Sequence, residues 1–344
     1  MEILKDYDLT KLNTFGIATK ARFFVEIEKE EEIKEIFNSQ EFKNNPKLFL
    51  GGGSNILFTK DFDGMVVLNR LKRIEILSED SEKVLIKAMG GEWWNDLVNF
   101  VVDKDFWGIE NLALIPGTVG ATPVQNIGAY GVELKDILEK VEAYNTENGT
   151  KRIFSKEECE LGYRDSIFKN KLKGQYFISA VILKLNKNKK ENTDYRALQD
   201  YLEKNNLEIK SSKDVSTAIS EIRKSKLPDP KILGNAGSFF KNVYVTKEKL
   251  EDLLEKYPNM PFFKENTFAQ ASTGEIKIPS GWLIEQCGWK GKRVGKVGVH
   301  DKQSLVLINY GGAKGQEILG LANQIIKDVF EKFGLKLIPE VNLI

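Results

Sequence analysis

The chain has 344 residues, enough for two or three domains with well-buried cores. Its 51 Lys and Arg nearly cancel 50 Asp and Glu, which argues against a nucleic-acid or membrane-surface protein, since those carry a basic bias. No apolar run is long enough to span a bilayer, the charged opening at Glu2, Lys5 and Asp6 is unlike a signal peptide, and Cys159 and Cys287 lack the spacing of a zinc site or a disulfide framework. The expectation is a reduced, cytoplasmic protein without a metal centre.

In chain order, Lys47–Leu50 reads as a buried strand running into Gly51, Gly52, Gly53, Ser54 and Asn55. Met65–Leu68 and Val84–Ala88 read as further strands. From Trp93 to Val102, apolar residues at Trp93, Trp94, Leu97, Val98 and Val101 form one helical stripe. Gln175–Leu185 is a strand, and the polar stretch Lys187–Asn192 is a surface turn. A helix over Ser212–Lys226 buries Val215, Ala218, Ile219 and Ile222 and is ended by Pro228 and Pro230. A longer helix runs from Gln316 to Phe333, with Ile318, Leu319, Ala322, Ile325, Val329 and Phe333 inward and Gly334 as its cap. Strands and helices mix without strict alternation, so the fold class is α+β. Boundaries near Arg70 and Glu221 divide the chain into 1–70, 71–221 and 222–344.

The richest segment is Ile115–Gly131. Pro116, Gly117, Thr118, Gly120, Pro123, Asn126, Gly128, Ala129, Tyr130 and Gly131 lie in it, and charge is absent. Glycine permits close backbone approach and positive φ, so the segment suits a cradle that offers N–H groups to a diphosphate or a ring. Gly51–Asn55 matches neither the dinucleotide fingerprint nor the Walker pattern. Together the two elements suggest one extended, phosphate-bearing cofactor held between them.

Arg223 and Lys226 share a helix face, with Lys231 and Lys241 nearby. Beside them, Gly234–Phe240 is a small-residue turn carrying Ser238, an arrangement suited to a nucleotide diphosphate. Taken alone, Ser238 is either an ordinary turn serine or part of that site. Arg164 lies in a loop and is either a surface residue or a carboxylate clamp. Glu340 is an acid in an apolar, strand-like segment, and is either a proton donor of raised pKa or a satisfied structural group. His300, the sole histidine, precedes the strand Ser304–Asn309 and has no nucleophile elbow to serve, which favours a structural role.

Nine short segments in order converge on one family: Asn13–Ile17, Gly51–Asn55, Asn111–Gly117, Gln125–Gly131, Tyr163–Ser166, Lys226–Pro230, Gly234–Lys241, Gly281–Ile284 and Pro339–Val341. The chain resembles the UDP-N-acetylenolpyruvoylglucosamine reductase (MurB) family nearly end to end. The resemblance implies a vanillyl-alcohol-oxidase-type (PCMH-type) FAD-binding fold of two subdomains, followed by an α+β substrate-binding domain. It implies FAD between Gly51–Asn55 and the Pro116–Gly131 segment, non-covalent because Gly51–Asn55 holds no histidine. NADPH would reduce the flavin, then yield its place to enolpyruvyl-UDP-N-acetylglucosamine.

Carried over by motif, Ser238 protonates C2, while Arg164 and Glu340 polarise the substrate carboxylate and stabilise the enolate. Tyr195 resembles the tyrosine on a loop that closes over substrate in the longer subgroup. Arg223, Lys226 and Asn242 match positions that contact the diphosphate. Two positions depart from the family pattern: Val243 where proline is common, and Asn342 where a basic residue is frequent. A flavin oxidase of a small alcohol and a non-catalytic flavin-binding module are the competing readings.

Overall fold

In the computed structural model, which describes residues 2–264 and 276–344, the strand Phe62–Asn69 is buried without a break from Gly64 to Asn69. It runs parallel to both neighbours, Lys20–Ile27 and Lys47–Leu50, and continuous burial is what a strand covered on both faces requires. Leu4–Asp8 completes this four-stranded sheet as an antiparallel edge. A second, antiparallel sheet has the order Lys151–Ser155, Leu138–Asn145, Tyr176–Asn186, Lys83–Met89, Ile74–Glu79. One of its faces packs against the helices Trp94–Val102 and Ser212–Lys226. The other shares a core with the four-stranded sheet and the helix Glu30–Asn38, through Ile33, Ile36, Phe37 and Phe177.

Backbone contacts divide the chain into two compact units. The first comprises Met1–Leu9, Lys20–Gly53 and Asp61–Ser225, so it holds both sheets. The second comprises Thr10–Thr19, Ser54–Lys60 and Lys226–Ile344. It contains two three-stranded sheets, Val243–Val245/Ile276–Ile278/Phe263–Lys264 and Arg293–Val294/Val297–Val299/Leu307–Asn309. The helix Gly315–Phe333 lies on the second of these. Near the C-terminus, Asn342–Leu343 pairs in parallel with Ile56–Leu57.

The Ser212–Lys226 helix forms over the residues its periodicity indicates and buries the four apolar positions named above. Gly315–Phe333 begins one residue early and ends at Gly334, whose φ of 65° lets its N–H return to the Phe330 carbonyl. Leu319 is half-buried, and Leu321 takes the core position instead. Trp93 departs further: the helix starts at Trp94, and Trp93 stays 44% exposed as its N-cap. The Ser304–Asn309 strand shortens to Leu307–Asn309. No described helix is long and apolar enough to cross a membrane.

Candidate active site

The strand Lys47–Leu50 delivers Gly51, Gly52 and Gly53 at its C-terminal end. A Cβ at Gly51 would overlap the Thr118 hydroxyl. One at Gly52 would lie 2.8 Å from the Gly117 Cα and equally near the Trp93 ring. The two glycine-rich elements therefore touch main chain to main chain, which only glycine allows. Hydrogen bonds Trp94 N–H to Gly117 O, Val119 N–H to Glu92 O and Gly120 N–H to Gly90 O fix the second element.

The Thr118 Oγ1 is buried and has no hydrogen-bond partner among the described residues. A buried hydroxyl left unpaired is costly, and a polar ligand atom would relieve that cost. Close main-chain approach and an orphaned hydroxyl together fit the pyrophosphate of FAD. Ser54 and Asn55 belong to the second unit.

Still in the first unit, Asn126, Tyr130 and Arg164 all take left-handed backbone conformations, with φ of 44°, 49° and 52°. Such conformations are costly for non-glycine residues and gather where surrounding structure imposes them. Asn126 is buried and clips its loop in place. It donates to Gly162 O at 2.9 Å and Glu133 Oε2 at 3.1 Å, and accepts from Lys135 N–H. The Arg164 guanidinium donates to Gly128 O at 2.6 Å and Asn126 O at 3.3 Å. Gly128 has no room for a side chain: a Cβ would come within 2.9 Å of Glu133 Cγ and 3.1 Å of Arg164 Nη1.

Arg223 lies near enough to the Tyr130 phenol and to Arg164 for each to act on its charge. Its Nε is buried without a partner, and it forms no ion pair with a described carboxylate. Burial pushes the Arg223 pKa down, opposed by Tyr130 and reinforced by Arg164. Burial likewise raises the Tyr130 phenol, against the pull of Arg223, so the phenol stays neutral at physiological pH. The Tyr195 ring, about half exposed, meets Tyr130 edge-on at 5.2 Å between centroids. Along the helix Ser212–Lys226, Arg223 is half-buried and close to Tyr130, while Lys226 is exposed.

In the second unit, Ser238–Lys241 is laddered between two segments. Phe239 N–H bonds Leu305 O at 2.7 Å, Lys241 N–H bonds Ile338 O at 2.9 Å, and Glu340 N–H bonds Phe239 O at 2.8 Å. Phe239 and Phe240 are fully buried anchors. Ser238 and Glu340 are thereby set on adjacent extended segments, and both are half-buried. Glu340 is thus less enclosed than its apolar neighbours in sequence suggest, and its segment forms an isolated bridge at Pro339 rather than a full strand.

Asn55 Nδ2 reaches Glu340 O at 3.4 Å, and Asn55 O accepts from both the main chain and the side chain of Asn342. The Asn342 departure therefore supplies a tether of its own. Asn242 Oδ1 accepts from Ser280 N–H, capping the helix Ser280–Gln286, and Val243 opens the strand paired with Ile278. His300 lies past the strand Val297–Val299; its Nδ1 accepts from Lys302 N–H, and burial lowers its pKa. No cluster of metal-ligating side chains exists among the described residues.

Two residues went unassigned by sequence reasoning. Trp93 walls the glycine cradle, although its apolar character placed it in a core stripe. Asn111 carried only a motif match, and its contacts are long-range.

Comparison with known proteins supplies independent findings. Residues 229–344 match the family model for the UDP-N-acetylenolpyruvoylglucosamine reductase C-terminal domain, and residues 21–154 match an FAD binding domain. The chain is 50% identical over 345 residues to the UDP-N-acetylenolpyruvoylglucosamine reductase of Flavobacterium johnsoniae, covering all of both chains. It is 46% identical to that of Amoebophilus asiaticus, again over both full lengths. The solved structure of the Thermus caldophilus enzyme superposes with a TM-score of 0.66 at 21% identity, covering 99% of this chain and 98% of that one, which establishes the shared fold.

Proposed function

The chain belongs to the UDP-N-acetylenolpyruvoylglucosamine reductase family, and from that membership we propose that it reduces enolpyruvyl-UDP-N-acetylglucosamine to UDP-N-acetylmuramate with NADPH, a step in peptidoglycan precursor synthesis. That it is an FAD-dependent oxidoreductase follows from the family and its FAD-binding domain. The observation that carries the finer reading is Arg223: a half-buried guanidinium whose buried Nε is unpaired, within electrostatic reach of a second guanidinium, calls for an anionic ligand.

FAD would be held by Gly51–Gly53 and Gly117–Thr118 and would supply the two-electron hydride chemistry, with NADPH as the source of reducing equivalents. Arg164 polarises the enolpyruvyl carboxylate with a guanidinium already fixed by two carbonyls. Glu340 assists in stabilising the enolate. Ser238 gives its hydroxyl proton to C2; a serine is acidic enough when the acceptor is strongly basic and the geometry is fixed. Arg223 and Lys226 bind the diphosphate with Asn242, and Tyr195 covers the bound nucleotide.

Anaerobic NADPH should bleach the flavin absorbance of the purified enzyme, and the enolpyruvyl nucleotide should restore it, with air restoring it only slowly. Rapid turnover with air and a small alcohol, or no reoxidation by the nucleotide, would overturn this assignment.

A further inference from the structure

Asn111 is fully buried on the short turn Glu110–Leu112, whose base is fixed by the Trp94 indole donating to Leu112 O at 2.9 Å. Its Nδ2 donates to two main-chain carbonyls on different loops, Tyr130 O at 2.9 Å and Asn192 O at 2.8 Å. Tyr130 belongs to the glycine loop; Asn192 lies three residues before Tyr195. The Asn192 side chain lies over Gly131, with Nδ2 reaching Gly131 O at 3.4 Å. The edge-on contact of Tyr195 with Tyr130 closes the same junction.

We infer that Asn111 is a positioning residue for substrate binding, whose amide clamps the loop bearing Tyr195 to the glycine loop. The inference rests on the proposed contact of Tyr195 with the nucleotide. The clamp needs a carboxamide. One nitrogen with two N–H groups can serve two carbonyls, whereas leucine offers no donor, and aspartate would bury a charge facing two carbonyl oxygens. Affinity for a ligand that needs the loop in place scales with the fraction of time it is there.

The test is a double-mutant cycle in the holoenzyme. Asn111→Leu should raise the KM for the enolpyruvyl nucleotide about tenfold, as a loop held in place a tenth of the time would. Flavin content and kcat should stay near wild type. In a Tyr195→Ala background the same change should add less than about twofold, because the two residues act as one unit. Equal factors in both backgrounds would overturn the clamp while leaving the substrate role of Tyr195 intact. An unchanged KM in Tyr195→Ala alone would overturn both.

Should Asn111→Leu fail to fold, Asn111→Ser carries the test. One hydroxyl can serve at most one of the two carbonyls, so KM should rise about two- to threefold, and only when Tyr195 is present. A rise independent of Tyr195, or none at all, would again overturn the clamp.

Discussion

The glycine cradle and the arginine cluster both lie in the first unit, yet they are built in opposite ways. Around Gly51, Gly52, Gly117 and Thr118 the site is made of main chain and one hydroxyl, brought into contact by omitting side chains. Around Asn126, Tyr130, Arg164 and Arg223 it is made of charge and strained backbone, held by side-chain amides and carbonyls. On the proposed assignment, the first arrangement would recognise shape and keep its ligand, and the second would stabilise charge that changes during reaction. Variants should accordingly split into those that lose flavin and those that lose chemistry. Ser238, in the second unit, is assigned to the chemistry by the proposed function.

Ser238→Ala is expected to have the largest effect. Removing a general acid slows proton transfer by about 10²–10⁴-fold, so reoxidation of the reduced enzyme by substrate should slow by that factor. Flavin reduction by NADPH and flavin content should remain near wild type, which stopped-flow absorbance resolves for each half-reaction. Equal loss in both half-reactions would place Ser238 with the cradle and break the division.

Gly52→Val tests the other side. The branched side chain would have to displace the Gly117 main chain and the Trp93 ring, both at 2.8 Å from the added Cβ. Overpacking of about 1–3 kcal/mol corresponds to a loss of FAD affinity between about fivefold and about 140-fold. The ratio of flavin to protein absorbance after gel filtration reads it directly, and reconstitution at high FAD should return most of kcat. Full flavin retention with lost turnover would mean that this contact serves chemistry rather than binding.

The cradle was more legible in the sequence than the cluster, for a physical reason. Recurrent glycine without charge is itself the statement that backbones approach closely, so the sequence alone pairs Gly51–Asn55 with Ile115–Gly131. The Ser212–Lys226 helix was equally legible, since its periodicity and its terminating prolines are local. Arg223 was placed on that helix but not against Tyr130, because local spacing predicts a shared face with Lys226 and says nothing of a partner far away in the chain. Trp93 was read as core because a stripe cannot show that the helix begins one residue later. Asn111 shows the limit most clearly: two carbonyls from separate loops define its role, and neither leaves a mark near it in sequence.

The smallest expected effect lies at the edge of the cluster, where Tyr195 is about half exposed and touches Tyr130 by its ring. Tyr195→Ala should raise the KM for the enolpyruvyl nucleotide about tenfold, the loss expected for one aromatic contact of about 1.4 kcal/mol. FAD retention should not change, since the Tyr195 ring meets Tyr130 and not the contact of Gly51 and Gly52 with Gly117 and Thr118. Tyr195→Phe then divides the contribution. Phenylalanine keeps the edge-on ring contact and lacks only the hydroxyl, so a KM near wild type would assign the binding to ring packing. A KM equal to that of the alanine variant would assign it to a hydrogen bond from the hydroxyl to the nucleotide. Loss of flavin with unchanged KM would instead move Tyr195 to the cradle side of the comparison.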